Sequence, residues 1–287
     1  MLSICGGLEV GLLALEELGI PVDEYHTYEI YEPAIELSKK HFPYIIHHGD
    51  VTGSDFSQFQ GFDLVMAGTC CQSLSRVRQE SKDYCSGLDG KSGIVMEYIR
   101  AVKEIKPKWF LLENVVPKDK VDQDAISEWL GVEPQLINSN LFSAQDRPRL
   151  YWTNIEIADL PKSNPTVLGD ILEDEVPDKY WYSKPITDID MSKKVCATLQ
   201  VNTHDMLKRV YNPAFKCATL TCVNGGYQEK KVMVDGRVRK LTPVEYERLQ
   251  TLPDGFTAGY RDTVRYTLCG NSWTKKVIKH ILRGIPN

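Results

Sequence analysis

The sequence lacks the features that would place the chain in a membrane or around a metal ion. None of its apolar runs approaches the roughly 20 residues that a bilayer-spanning helix requires. It contains neither a Cys-x-x-Cys pair nor a histidine cluster, the patterns typical of zinc sites. It also has no repeats and no low-complexity tracts. The chain starts directly on a strand-like segment, so we expect no signal or transit peptide and an intracellular protein.

Paired cysteines and excess positive charge are missing as well. The eight cysteines of the 287-residue chain form no spaced framework, and Cys70 and Cys71 are adjacent. We therefore expect free thiols in a reducing compartment. A formal net charge of −5 argues mildly against nucleic-acid binding, although Lys and Arg are dense in residues 76–91 and 230–240. Such runs are most often solvated surface, so charge alone does not identify a partner.

The first half of the sequence alternates between strand-like and helix-like segments. Residues 2–4 are apolar, Gly6-Gly7 follow, and residues 10–18 have helical periodicity, which is typical of the first turn of a doubly wound fold. Further strands are predicted at residues 25–30, 44–48, 64–67, 109–112, 135–140 and 149–153, and further helices at residues 33–41, 91–105 and 125–130. This alternation predicts an α/β fold with a doubly wound, mainly parallel, Rossmann-like sheet covered by helices.

Regular periodicity ends near residue 160. Residues 161–239 are rich in Pro, Asn, Thr and Lys, with short β-branched runs at residues 194–201 and 218–223. Helical patterns resume at residue 241, and a last helix is predicted at residues 274–282. We therefore predict a first domain at residues 1–160, a smaller irregular domain at residues 161–239 and a return to the first domain at residues 240–287.

Chemically reactive side chains follow two of the predicted strands. Cys71 follows the strand at residues 64–67, and Glu113 follows the strand at residues 109–112. A parallel sheet delivers side chains from the carboxyl ends of its strands into one crevice. A thiolate there can add to an electron-poor carbon while a carboxyl manages the proton. A buried structural role is the commoner fate of a free cysteine, so this pattern alone leaves both interpretations open.

Five motifs occur in a fixed order along the chain. They are Cys70-Cys71-Gln72, Glu113-Asn114-Val115, Gln145-Asp146-Arg147-Pro148-Arg149, the stretch from Leu241 to Phe256, and Gly270-Asn271-Ser272-Trp273. Together they resemble the motifs of the C5-cytosine DNA methyltransferase family, whose thiol loop reads Gly-x-Pro-Cys-Gln. The opening Leu2-Ser3-Ile4-Cys5 looks closest to the de novo branch of that family.

The resemblance implies a DNA (cytosine-5)-methyltransferase that works through a covalent adduct. Cys71 would attack C6 of a flipped-out cytosine, so that C5 becomes nucleophilic toward a methyl sulfonium. Glu113 would bind N3 and the exocyclic amine of the base. Arg147 and Arg149 would hold the base carbonyl, the Glu113 carboxylate or a phosphate. These four residues are the predicted catalytic set.

The same resemblance implies S-adenosylmethionine as the cofactor. In this fold class an acid that ends the second strand, here Glu29, accepts hydrogen bonds from ribose hydroxyls. Asp50, after the third strand, would meet the adenine amine. The other residues implied for the pocket are Cys5, Gly7, Leu8, Gly11, Ile30, Val51, Asn271, Ser272 and Trp273.

Three positions depart from the family pattern. Cys70 stands where proline is usual, which loosens a loop whose φ proline would fix. We prefer Cys71 to Cys70 as the nucleophile because Gln72 aligns with the family loop only in that register. Cys5 stands where phenylalanine is usual, and Gly6 stands where an acid is frequent. Both changes remove bulk or charge beside the cofactor, so we expect a pocket that accepts a bulkier sulfonium.

The partner implied by the resemblance is double-stranded DNA. Residues 75–93 resemble a loop that closes on DNA, and residues 161–239 would be the target-recognition region. The implied DNA contacts are Gln72, Ser75, Arg76, Arg78, Lys91 and Asn114, and Lys230 and Lys231 are candidate phosphate contacts. Two other functions stay open: an RNA cytosine-5 methyltransferase, and a catalytically silent DNA-binding regulatory homologue.

Overall fold

The structure is a computed structural model that describes residues 1–69, 93–117 and 120–286. It divides into two compact units. The first unit comprises Met1–Ile137, Pro148–Asp159 and Val277–Asn287, and the second unit comprises Asn138–Arg147 and Leu160–Lys276. One border lies at the predicted boundary near residue 160, but the chain rejoins the first unit at Val277 instead of residue 240. The assignment of residues 161–239 to target recognition stays a prediction.

The strands and helices of the described ranges are numbered in chain order. The strands are β1 (Leu2–Ile4), β2 (His26–Tyr28), β3 (Ile46–His47), β4 (Leu64–Gly68), β5 (Trp109–Asn114), β6 (Gln135–Asn138), β7 (Gln145–Asp146), β8 (Pro148–Thr153), β9 (Ile186–Thr187), β10 (Val195–Leu199), β11 (Arg209–Tyr211), β12 (Cys217–Ala218), β13 (Lys231–Val234) and β14 (Arg237–Lys240). The helices are α1 (Val10–Leu18), α2 (Glu32–His41), α3 (Ile94–Ile105), α4 (Lys120–Leu130), α5 (Asp205–Lys208), α6 (Pro243–Leu249), α7 (Asp262–Asn271) and α8 (Lys275–Leu282). Within these ranges no helix is long and apolar enough to cross a bilayer.

The first unit is built on a seven-stranded sheet with the order β3-β2-β1-β4-β5-β8-β6. Strands β1 to β5 pair in parallel, and β8 runs antiparallel to β5. The strand order reverses between β1 and β4. Ligands of open α/β sheets bind outside the carboxyl ends of the strands at such a reversal. The predicted α/β fold with a mainly parallel sheet is therefore confirmed, and the sheet places the ends of β1, β2, β4 and β5 along one edge.

Most predicted elements of this unit lie where the sequence placed them. β1 and α1 have the predicted bounds. The carboxyl end of α1 is capped by Gly19, whose φ of 70° lies in the left-handed region that glycine adopts easily. α4 begins at Lys120, five residues before the predicted start. The prediction missed its first turn because that turn is polar and carries no apolar stripe. β6 ends at Asn138, where the chain turns into a short 3-10 helix at Ser139–Leu141.

The core of the first unit packs one face of α3 against the sheet. Five α3 side chains are buried, namely Val95, Tyr98, Ile99, Ala101 and Ile105. Leu2 and Ile4 of β1 and Val65 of β4 belong to the same cluster. Burying an aliphatic or aromatic side chain of this size contributes roughly 1.5–3 kcal/mol. The packing of α3 against the sheet thus holds β1 and β4 in place, and the carboxyl ends of these strands carry the candidate site.

The second unit contains a five-stranded sheet, ordered β14-β13-β11-β10-β9, and a small parallel pair of β12 and β7. Tyr246 and Leu249 of α6 and Tyr266 and Cys269 of α7 pack in one buried cluster. The β-branched run at residues 218–223 contributes only Ala218 to a strand, β12. The residues after it continue without regular structure, yet their apolar side chains enter the core, which explains the strand-like pattern.

A lysine joins separate stretches of the second unit. The Lys216 ammonium donates to the main-chain carbonyls of Asn140 at 3.0 Å, Ser143 at 2.9 Å and Asn164 at 2.9 Å. Burial lowers the pKa of Lys216. The three carbonyls replace the water that the ammonium loses on burial.

The late motif, residues 241–256, has an architectural role in this unit. The fully buried Glu245 carboxylate pairs with Arg239 at 2.5 Å. The equally buried Glu247 accepts hydrogen bonds from the Gly255 N–H at 2.6 Å and the Thr257 N–H at 2.7 Å. Buried charges require such partners. The two buried glutamates of the motif thus stabilise the second unit by hydrogen bonds and an ion pair within it.

Candidate active site

The turn after β1 carries the first predicted cofactor residues. Cys5 and Gly7 adopt left-handed backbone conformations, with φ of 56° and 57°. The Cys5 N–H donates to the Tyr28 carbonyl at 2.8 Å, which joins the turn to the end of β2. Apart from Gly7 itself and its two chain neighbours, no described residue has an atom within 4 Å of the point where a Gly7 side chain would begin. Leu8 and Gly11, which follow in the sequence, are buried. The turn therefore offers mainly main-chain atoms to a ligand at the carboxyl edge of the sheet.

Glu29 is fixed at the end of β2. Its Oε2 accepts from the Gly7 N–H at 2.9 Å, and its Oε1 accepts from the N–H groups of Ile30 and Tyr31, both at 2.8 Å. A carboxylate oxygen can accept more than one donor, so Oε2 retains capacity for a ligand hydroxyl. The Ile30 side chain beside it is 70% exposed. The end of β2 therefore offers a held carboxylate next to an apolar surface.

Asp50 and Val51 follow β3 and complete the predicted pocket residues of the first unit. Asp50 is exposed, and the hydrogen bond from the Thr52 N–H at 2.9 Å lowers the pKa of its carboxyl. Val51 is buried in the core. Asn271, Ser272 and Trp273 belong to the second unit, and their place in a cofactor pocket stays a prediction.

Glu113 and Arg149 form an ion pair on the neighbouring strands β5 and β8. Arg149 Nε lies 2.9 Å from Glu113 Oε1, and the two side chains are only 13% and 10% exposed. The strand register pairs Glu113 with Gly68 on β4, the strand that leads into the thiol loop. A charge-assisted contact with little water holds the carboxylate in one orientation. The structure thus brings together two of the predicted catalytic residues.

Asn114, a predicted DNA contact, is buried at the end of β5 with 1% exposure. Its Nδ2 donates to Thr69 Oγ1 at 2.9 Å, and its Oδ1 accepts from the Val115 N–H at 2.7 Å. These bonds connect the ends of β4 and β5. The amide faces the protein, which favours support of the turn over the predicted contact with DNA.

Arg147, a predicted catalytic residue of the second unit, is 4% exposed. Its guanidinium donates to the main-chain carbonyls of Leu220 at 3.1 Å, Gly270 at 3.1 Å and Ser272 at 3.0 Å. These contacts favour a positioning role over the predicted contact with the base, because they fix the main chain on both sides of Asn271. The motif spacing could not separate this role from that of Arg149.

We expect Arg147→Met to lower the free energy of unfolding by about 2–4 kcal/mol, because it removes three hydrogen bonds that each contribute on the order of 1 kcal/mol. Urea denaturation followed by circular dichroism measures the change. Arg283→Met removes an exposed arginine and should stay within about 0.5 kcal/mol of wild type. Equal losses in the two variants would contradict the positioning role.

Several predicted residues lie outside the described ranges, namely Cys70, Cys71, Gln72, Ser75, Arg76, Arg78 and Lys91. Their roles stay predictions. The cysteines that the structure describes form no disulfide with one another; they are Cys5, Cys196, Cys217, Cys222 and Cys269. The described residues include no cluster of three or more His, Cys, Asp or Glu that could hold a metal ion.

Lys231, a candidate phosphate contact, points into the second unit instead. It is 1% exposed, and its ammonium donates to the carbonyls of Tyr227 at 2.6 Å and Glu229 at 2.9 Å. Burial lowers the pKa of Lys231 to about 8. The expectation for this residue was wrong because β13 directs it into the unit, which a dense run of basic residues does not reveal.

Glu9 is a buried acid that the sequence analysis did not select. It precedes α1 with a φ of 51° and is 1% exposed. Its carboxyl fills the space beside Gly6, with Oε1 only 2.1 Å from the point where a Gly6 side chain would begin. The extra room that we expected from Gly6 is therefore absent on that side of the turn. An acid between Leu8 and Val10, within an apolar stretch, was the signal that could have identified it.

Comparison with known proteins decides the family. The sequence model of the family described as C-5 cytosine-specific DNA methylase matches residues 1–287. The chain belongs to this family. It is 26% identical to the type II methyltransferase M1.ScrFI of Lactococcus lactis subsp. cremoris over 93% of the chain and 72% of that relative. It is 23% identical to the type II methyltransferase M.HindV of Haemophilus influenzae over 100% of the chain and 95% of that relative.

A solved structure agrees with this C-5 cytosine-specific DNA methylase assignment at the level of the fold. The Dnmt2 methyltransferase of S. pombe matches with a TM-score of 0.70 at 18% identity, covering 98% of this chain and 96% of that chain. Family membership confirms the predicted family and the predicted reaction class, C5 methylation of cytosine in DNA. The closer likeness to the de novo branch stays a prediction.

Proposed function

We propose that this C-5 cytosine-specific DNA methylase transfers a methyl group from S-adenosylmethionine to C5 of a flipped-out cytosine in double-stranded DNA. The observation that supports it most strongly is the Glu113–Arg149 pair beside Gly68. It holds a carboxylate in a fixed orientation where the chain enters the segment that contains Cys71. A carboxyl and a thiol are the two groups that the addition chemistry requires.

Cys71 is the proposed nucleophile. Its thiolate adds to C6 of the base, while Glu113 shares a proton with N3 and makes C6 more electrophilic. Arg149 keeps the Glu113 carboxylate oriented. The electron pair released to C5 would form the new bond to the methyl group, while the methyl–sulfur bond breaks and its electron pair stays on the sulfur. Loss of the C5 proton and expulsion of the thiolate then restore the aromatic ring.

The described residues of the first unit fit S-adenosylmethionine. Glu29 Oε2 can accept from a ribose hydroxyl, the exposed Ile30 side chain offers an apolar face for a purine, and Asp50 offers an ionised acceptor for an exocyclic amine. The main-chain turn at Gly7 leaves open space beside the carboxylate. When bound, this cofactor supplies an electrophilic methyl group on a sulfonium.

Duplex DNA as the substrate is supported by the exposed cations of the second unit. Arg209 on β11 and Arg237 on β14 are exposed on its five-stranded sheet, and Arg237 lies 4.3 Å from the ring centre of Trp181. Most protein–DNA hydrogen bonds go to the backbone, and cations of this kind are suited to it. Flipping the target base out of the duplex costs a few kcal/mol, which backbone contacts can offset.

Transfer of a radiolabelled methyl group from S-adenosylmethionine tests the proposal. We expect label at C5 of cytosine in mixed-sequence duplex DNA and none in transfer RNA. Glu113→Gln should slow DNA methylation by roughly 10²–10⁴-fold, since it removes a general acid. Glu133→Gln, which changes an exposed acid, should leave the rate unchanged. Label in RNA but not in DNA would contradict the proposed substrate.

A further inference from the structure

The Glu9 carboxyl occupies the inside of the turn that carries Cys5 and Gly7. Both of its oxygens lie close to the point where a Gly6 side chain would begin, Oε1 at 2.1 Å and Oε2 at 2.5 Å. The Tyr25 hydroxyl donates to Oε2 at 2.5 Å, whereas the buried Oε1 has no hydrogen-bond partner among the described residues. A buried carboxylate oxygen without a donor is costly. The acid is therefore held at the turn with part of its charge uncompensated.

Among the residues that the structure describes, those that influence the pKa of Glu9 carry no positive charge. The hydroxyls of Thr27, Tyr25 and Ser3 lower the pKa of Glu9, and the nearby Glu29 carboxylate raises it. Burial is the largest influence, and it raises the pKa of Glu9 to about 7. A cation that binds against the turn would favour the ionised carboxyl and lower this pKa.

We propose that Glu9 is the residue by which the turn distinguishes a cationic sulfonium donor from the neutral thioether product that methyl transfer leaves behind. The inference rests on the proposed cofactor. Ligand binding and ionisation of Glu9 are coupled, and this coupling is reciprocal. A ligand that prefers ionised Glu9 therefore releases a proton when it binds. Its affinity also increases as the pH rises through the pKa of Glu9 in the free protein. The thioether lacks the positive sulfur and should show neither effect.

The comparison of the two ligands isolates this carboxyl from other titrating groups. S-adenosylmethionine and S-adenosylhomocysteine share the adenosine and the amino-acid group. Both ligands should therefore cause the same proton release from His47 and His48, which precede Asp50 in the sequence, and from the ligand's own amine. These contributions cancel when proton release by the two ligands is compared. What remains is the response to the sulfonium charge, and the Glu9→Gln variant assigns that response to Glu9 or to another group.

Titration calorimetry on the full chain tests the proposal with both ligands at pH 6 and pH 8, in two buffers of different ionisation enthalpy. We expect the affinity ratio of S-adenosylmethionine to S-adenosylhomocysteine to rise by up to about tenfold between these pH values, because the ionised fraction of a carboxyl with a pKa of about 7 rises about tenfold over this interval. Glu9→Gln keeps the size of the side chain and removes its charge, so its ratio should not change with pH. Glu16→Gln, an exposed acid on α1, should behave as wild type.

The possible results distinguish failure of the role of Glu9 from failure of the cofactor proposal. An affinity ratio that rises equally with pH in wild type and in Glu9→Gln would overturn the role of Glu9. Failure of the wild type to bind S-adenosylmethionine would instead defeat the cofactor proposal, and the inference with it. Should circular dichroism show that Glu9→Gln does not fold, proton release by wild type decides: equal release with both ligands near pH 7 overturns the role.

Discussion

Cys71→Ser should abolish the covalent complex that the wild type forms with duplex DNA containing 5-fluorocytosine. Fluorine at C5 cannot leave as a proton does, so the bond between the nucleophile and C6 persists through denaturation. A serine hydroxyl is a far weaker nucleophile than a thiolate at neutral pH. We expect methyl transfer to fall by on the order of 10³-fold or more, as when a nucleophile is removed from other enzymes. Denaturing electrophoresis of labelled DNA, with S-adenosylmethionine present, measures the complex.

Cys70→Ser is the matched control because it removes the adjacent thiol. It should retain the complex if Cys71 is the nucleophile. Loss of the complex only in Cys70→Ser would show that the register of the loop was assigned wrongly. Absence of a complex in every form, with the cofactor bound normally, would favour an RNA enzyme or a silent homologue.

Arg239→Met should lower the free energy of unfolding by about 3–5 kcal/mol, since it leaves a buried carboxylate without its cation. Arg239 donates to Glu245 at 2.8 and 2.5 Å, and the two residues are 1% and 0% exposed. Urea denaturation followed by tryptophan fluorescence gives the change. Because Glu245 also accepts from the Thr242 N–H at 2.7 Å, the loss should disturb the start of α6.

A surface pair provides the control for this prediction. Lys193 lies 2.8 Å from Asp190, but the two side chains are 70% and 38% exposed. Lys193→Met should cost no more than about 1 kcal/mol. The double variant Arg239→Met/Glu245→Met should recover part of the stability lost in Arg239→Met, because no charge remains buried. Similar costs for Arg239→Met and Lys193→Met would refute the importance of the buried pair.

The parts of the fold that could be predicted are those written in local patterns. Apolar strands and amphipathic helices recur with short periods, so β1, α1 and α3 were predicted within a few residues. The acids at strand ends followed from the same logic. Glu29 and Glu113 lie at the carboxyl ends of β2 and β5 because the parallel sheet delivers them there.

The features that escaped prediction depend on partners distant in the sequence. Arg147 and Arg149 are two residues apart in one motif, yet Arg147 binds carbonyls 73, 123 and 125 residues away. Glu9 is defined by Tyr25 and by the missing side chain of Gly6. Lys231 sits in a basic run but points inward. Composition and spacing contain no information about such contacts, since only the assembled chain creates them.

Two of the cations that hold the second unit together bind main chain, and this has a consequence for sequence divergence. Arg147 and Lys216 each contact three carbonyl groups. Every amino acid provides a carbonyl, so for these contacts the acceptor positions tolerate any side chain, whereas the two donor positions do not. The side chains at the six acceptor positions can therefore change without loss of these contacts, and the cost of substitution is concentrated at the two donor positions.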